Sequence, residues 1–262
     1  MNTLKEIIIE YLNVGYQSHI YGPDGMGAAG LWESEVQALA WAGLNAPKGD
    51  FFTVGAFQGA SDVILGLVAK YRGEGQKVIS VDIMHQKAWY RNVYQRAHLK
   101  DYVIPYDISC TKYKHKGNPV ALGFSDGWHS FRAVVTEFNS VKSHLLKDAI
   151  YLFHDSPPDA ILPNKSGPPP VQLVQEARER YPELMATHIP ETLEVENKTE
   201  YHKTEGLQDF LIELAIAHIC SETGASLVEL PEFDHKPRFD MTGGDWERAK
   251  TSPYFGLRAI RL

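Results

Sequence analysis

Cysteine is scarce in this chain: Cys110 and Cys220 are the only two in 262 residues. Two thiols cannot build a disulfide framework or a four-cysteine zinc site, so a reducing compartment is expected. Neither has a sequence context that marks a nucleophile; both read as small apolar fillers. Basic residues are also in short supply, with 26 Lys and Arg against 33 Asp and Glu and a net charge of −7. That balance argues against a broad electrostatic grip on nucleic acid. Long apolar runs are missing too. None approaches the ~20 residues that span a bilayer, and the longest, Phe210 to Cys220, is interrupted by Glu213 and His218. The opening residues Met1 to Glu6 lack the apolar centre of a secretory signal. These absences together predict a cytoplasmic protein with neither nucleic acid nor membrane as partner.

What is present suits a single large domain: 44% hydrophobic and 23% charged residues over a length typical of one unit. Thr3 and Glu6 form a capping-box pattern ahead of Ile7, Ile8, Tyr11 and Leu12, which predicts a leading helix. Tyr21 to Gly27 is a glycine-rich loop, and Glu33–Leu44 has helical periodicity. An alternation follows. Strands are predicted at Phe51–Val54, Val78–Val81, Tyr102–Pro105, Val120–Phe124 and Ile150–Phe153. Helices are predicted at Ala60–Tyr71, Lys87–Leu99 and Ser130–Leu146. Short β-rich runs separated by helices imply an α/β fold, with a mainly parallel sheet covered on both faces. Past residue 155 the prolines Pro157, Pro158 and Pro168 to Pro170 bracket a stiff loop. Val171–Tyr181 and Glu205–Ser221 are predicted helices, the latter suited to a dimer contact or to the core. Ser226–Leu230 and Gly256–Ile260 are late strands and bring the sheet to seven. The chain thus reads as one domain over 1–262, with a helical segment at 1–48 and an insertion or cap at 157–225.

The segment richest in chemistry is Thr53-Val54-Gly55-Ala56-Phe57-Gln58-Gly59-Ala60-Ser61. An apolar strand runs into a glycine-bearing turn and then a helix, which points backbone N–H groups and a helix N-terminus at the mouth of the sheet. A dinucleotide fingerprint needs a second glycine where Phe57 stands, so this turn suits a ligand without a diphosphate. Asp82 ends the second strand, close to the ~20-residue spacing at which a carboxylate binds ribose hydroxyls. Each feature alone is compatible with a tight turn and a surface acid. In this order on consecutive βα units they favour a nucleoside.

The fourth and fifth strands end at Ser125-Asp126-Gly127-Trp128-His129-Ser130-Phe131 and at His154-Asp155. In a parallel sheet both ends face the same crevice as Gly55 and Asp82. Asp126, His129, His154 and Asp155 should therefore converge, as general bases or as metal ligands. Two aspartates with waters would suit Mg²⁺, and two histidines a softer metal. Local roles compete: Asp126 in a turn before Gly127, Ser130 as a helix N-cap, and His129 packed on Trp128.

Taken together, these motifs resemble the class I S-adenosylmethionine-dependent methyltransferases. The nearest branch is that of small-molecule and sugar O-methyltransferases (methyltransferase family 24-like), and the match runs over roughly residues 30–156. Glu35 falls at an acidic position common there. Phe131 replaces the usual tyrosine, and Lys147-Asp148-Ala149 replaces the usual turn before strand five. The resemblance implies a Rossmann-like domain that binds S-adenosylmethionine through Gly55, Ala56, Phe57, Gly59, Ser61, Asp82, Ile83, Asp107 and Asp126. It implies catalysis by His129 or His154 with Asp126, His129 being preferred as base. Asp126 and Asp155 become candidate ligands for Mg²⁺. The implied partner is a small-molecule acceptor, with a homo-oligomer as an option. Two other functions fit the residues: a module of the same fold that binds the cofactor without transferring methyl, and a metal-dependent hydrolase. The hydrolase leaves the glycine turn and Asp82 without a purpose. The run Lys112-Tyr113-Lys114-His115-Lys116 reads as a solvated loop before Gly117-Asn118-Pro119, or as a contact to an acidic acceptor.

Overall fold

Seven strands hydrogen-bond into one sheet in the order β3-β2-β1-β4-β5-β7-β6. They are β1 (Asp50–Val54), β2 (Val78–Asp82), β3 (Val103–Asp107), β4 (Val120–Ser125), β5 (Leu145–Phe153), β6 (Ser226–Val228) and β7 (Arg258–Arg261). This computed structural model describes residues 2–17, 31, 33–56, 59–83, 94–95, 97–128, 131–154, 179, 212–231 and 257–262. β1 to β5 pair in parallel, whereas β7 is antiparallel to both β5 and β6. The chain winds outward from β1 to β3, then returns to lay β4 on the other side of β1. That reversal opens a crevice at the carboxyl ends of β1 and β4.

Every residue of β1, β2 and β4 is buried, as their unbroken apolar runs require. Alternate side chains serve opposite faces. Phe51, Val78, Phe124 and Ile150 pack with α1 (Asn2–Gln17), α2 (Glu33–Asn45) and α3 (Ala60–Arg72), through residues such as Ile7, Leu39 and Ile64. Phe52, Val54, Val81 and Tyr151 pack with α4 (Phe131–Val141) and the helix at 212–223, through Phe138, Ile212 and Ile216. Each fully buried leucine or phenylalanine contributes about 1.5–3 kcal/mol. In the 212–223 helix Glu213 is fully buried, and Arg258 Nε donates to its carboxylate at 3.1 Å. β3 is an edge strand on which only Val103 is buried.

Two predicted boundaries move. The helix after β4 ends at Val141, not Leu146; a 3₁₀ turn follows at Lys142–His144, and Leu145 already belongs to β5. The reason is that Leu145 pairs with Val120, while the polar pair Lys147 and Asp148 is exposed where the register slips, with Asp148 at φ 67°. The helix predicted at Lys87–Leu99 gives way to a turn at 97–98, with His98 at φ 54°; residues 84–93 and 96 lie outside the described residues. So do the Tyr21–Gly27 loop and, Glu179 apart, residues 155–211, which hold most of the predicted cap and the Val171–Tyr181 helix. Among the described residues no helix is long and apolar enough to cross a membrane.

Candidate active site

Gly55 leaves β1 at φ 81°, in the left-handed region that disfavours a side chain. Its N–H donates to the Val81 carbonyl at 3.2 Å, so it sits beside the end of β2. A Cβ at this position would overlap the carbonyl oxygen of Asp126. Only glycine therefore lets the β1 turn meet the β4 exit loop. Gly59, also left-handed at φ 83°, closes the turn through its N–H to the Ala56 carbonyl at 2.6 Å and starts α3. Ala56 and Ser61 are buried beneath this turn, and Phe57 lies outside the described residues.

Asp62, in the first turn of α3, is fully buried and accepts hydrogen bonds from the Thr53 hydroxyl at 2.7 Å and the Tyr94 hydroxyl. Its charge opposes the positive end of the helix dipole. It thus ties β1, α3 and the segment after β2 into one support for the glycine turn. Sequence reading missed it; the available signal was an acid in the first turn after a glycine, with a threonine nine residues earlier.

Asp82 ends β2, nearly buried, with Ile83 half-buried after it. The register sets Asp82 against Asp107, which is exposed at the end of β3. Gly55, Asp82 and Ile83 thus stand together at the carboxyl ends of β1 and β2.

Asp126 begins the other side. Its N–H donates to the Val54 carbonyl, and the His154 N–H donates to the Ser125 carbonyl, each at 2.9 Å. Asp126 Oδ1 lies 2.9 Å from His154 Nδ1, and Glu35 Oε2 lies 3.3 Å from His154 Nε2. The imidazole therefore lies between two carboxylates, hydrogen-bonded to Glu35 through Nε2, with Nδ1 close to Asp126 but not in hydrogen-bond geometry. His129 and Asp155, the other two members of the predicted cluster, lie outside the described residues. Gly127 and Trp128 are clamped by Glu137 from α4: a Cβ on Gly127 would overlap Glu137 Oε1, which accepts from the Trp128 N–H at 3.1 Å. Glu137 is nearly fully buried, and its charge is one cause that pushes the Cys110 thiol up to about 12, burial being the larger. Glu137 also escaped the sequence reading, since helical periodicity assigns that face to Val134, Phe138 and Val141.

Of the two acids expected to hold Mg²⁺, Asp126 is described and Asp155 lies outside the described residues. Mg²⁺ selects oxygen ligands in octahedral array, yet the group against Asp126 Oδ1 is an imidazole nitrogen. Among the described residues no three His, Cys, Asp or Glu side chains gather as a metal cluster.

Residues 52–156, from β1 to just beyond β5, match the family model for a methyltransferase domain. The fold agrees. An SAH-bound methyltransferase from Podospora anserina superposes with a TM-score of 0.53 at 12% identity, covering 97% of this chain and 87% of that one. The chain has the class I methyltransferase fold. An O-methyltransferase from Bacillus cereus in complex with SAH superposes with a TM-score of 0.49 at 15% identity, covering all of this chain and 91% of that one. No curated protein sequence matches this chain significantly. The matched segment carries the glycine turn, Asp82, Asp126 and His154, while Glu35 comes from α2, outside it.

The basic run after β3 splits by side chain. Lys112, Lys114 and Lys116 are exposed, while Tyr113 and His115 are buried, His115 Nε2 lying 2.7 Å from the Asn118 carbonyl.

Proposed function

We propose that this protein transfers a methyl group from S-adenosylmethionine to a hydroxyl oxygen of a small-molecule acceptor. The observation that carries this reading is the joining of Gly55 to Asp126 beside Asp82, which sets a nucleoside-type crevice against an acid and imidazole cluster. The methyltransferase domain match and the SAH-bound Podospora protein of the same fold support the choice of donor.

When bound, S-adenosylmethionine supplies an electrophilic methyl carbon on a sulfonium. The α3 N-terminus would meet its amino-acid carboxylate, with the glycines of the preceding turn allowing close approach. Asp82 accepts from the ribose hydroxyls, and Ile83 and Asp107 border the adenine. The bound donor would give its methyl carbon to the acceptor oxygen with loss of the carbon–sulfur bond, and the chain's own part is to orient the acceptor and take its hydroxyl proton. His129, three residues past Asp126, is the base in this reading, because His154 already faces carboxylates at both ring nitrogens. Holding the two reactants in line is the larger share of the catalysis.

Calorimetry tests the donor site. SAH should bind the wild type, and Asp82→Ala should weaken binding by roughly 100-fold, the loss of two hydrogen bonds to a charged group. Equal affinity in the two proteins would remove Asp82 from the site.

A further inference from the structure

We propose that His154 is a positioning residue that holds Asp126 in the place a divalent cation would otherwise take. The inference rests on the methyltransferase reading and names how its acceptor side is held. Three observations carry it. The two ring nitrogens of His154 lie 2.9 Å from Asp126 Oδ1 and 3.3 Å from Glu35 Oε2. Glu35 and His154 are 119 residues apart in sequence and both buried, so their meeting is a property of the fold, not of a local turn. The backbone around them is fixed as well: His154 N–H is bonded to Ser125, Asp126 N–H to Val54, and the Asp126 carbonyl abuts Gly55.

An imidazole in this position fills the space beside Asp126 Oδ1, with its Nε2 tied to Glu35. A cation bound through Asp126 Oδ1 would have to displace the ring, and Mg²⁺ gains nothing from a nitrogen ligand. The bridge also draws the N-terminal helical segment into the site, because α2 supplies the far carboxylate that aims the ring. The domain that the family model matches therefore depends, on its acceptor side, on a residue from outside its bounds.

The test uses the whole chain, with MgCl₂ or EDTA as the only additions, and needs no knowledge of the acceptor. Thermal unfolding of the wild type should be the same in EDTA and in saturating MgCl₂, and so should SAH affinity by calorimetry. His154→Asp gathers three carboxylates and should lower the melting temperature in EDTA by roughly 5–10 °C, with MgCl₂ recovering much of the loss. A wild type stabilised by MgCl₂ and weakened by EDTA overturns the proposal. So does a His154→Asp variant as stable in EDTA as the wild type. Should that variant fail to fold, the ring proton resonance of His154 decides. It should shift on Asp126→Asn and on Glu35→Gln; a resonance that neither change moves overturns the bridge. Absence of SAH binding to the wild type would count against the methyltransferase reading alone, because the melting and resonance results do not depend on it.

Discussion

An aspartate stands at each end of β1, Asp50 as its first residue and Asp126 bonded to its last, and the two acids are built differently. At the amino end, Asp50 is closed off: Oδ1 accepts from the Lys77 N–H at 2.9 Å and the Asn118 amide at 3.1 Å, and Oδ2 from the Asn118 N–H at 2.9 Å. Gly117 packs so tightly on it that a Cβ there would lie 2.6 Å from Oδ2. At the carboxyl end, the Asp126 side chain keeps 18% of its surface exposed and meets an imidazole ring. Saturation by the main chain marks an acid that holds the fold. Partial exposure against an imidazole marks one left available for chemistry. Arg72 belongs to the first kind of construction, since it donates to the carbonyls of Gly43 and Ala46 and so ties the end of α3 to the end of α2.

Mutations should separate the two ends. The largest effect is expected from Gly55→Ala, which adds both a clash with Asp126 and an unfavourable φ. It should cost roughly 2–5 kcal/mol in urea unfolding and abolish detectable SAH binding. Normal SAH affinity in that variant would mean that the carboxyl end tolerates parting of its two sides. Asp50→Ala comes next. It strands the Lys77 and Asn118 N–H groups and should cost roughly 2–4 kcal/mol in stability. The folded fraction should still bind SAH with wild-type affinity, and a drop in affinity would blur the distinction between the ends. The smallest effect is expected at the thiols. Burial raises Cys110 to about 12 and Cys220 to about 11. At pH 8 only roughly one Cys110 in ten thousand is then a thiolate. Iodoacetamide should leave both unlabelled until the protein is unfolded, as read by mass spectrometry.

The strand positions and the glycine turn are legible in the sequence because β1, β2 and β4 are mostly apolar runs, each ended by a polar or glycine residue. Asp82 is legible for the same reason, as the acid at a strand end. The loop at Lys147-Asp148 is recognisable as a turn, but not as a slip inside β5, because pairing with Val120 pulls Leu145 and Leu146 into the sheet. Asp62 and Glu137 are hidden by their helices, whose periodicity marks the faces they occupy as apolar. Glu35 stands out only by resemblance. Its contact with His154 spans most of the fold, and no local pattern encodes a meeting between a helix ahead of the sheet and the end of its fifth strand.

The direct abutment of Gly55 on Asp126 limits how such a scaffold can diversify. In the proposed methyl transfer, the gap between these two strands cannot widen for a bulkier acceptor without parting Gly55 from Asp126. New acceptor preferences must then arise in the walls that rise beyond the sheet, while the floor they stand on stays the same.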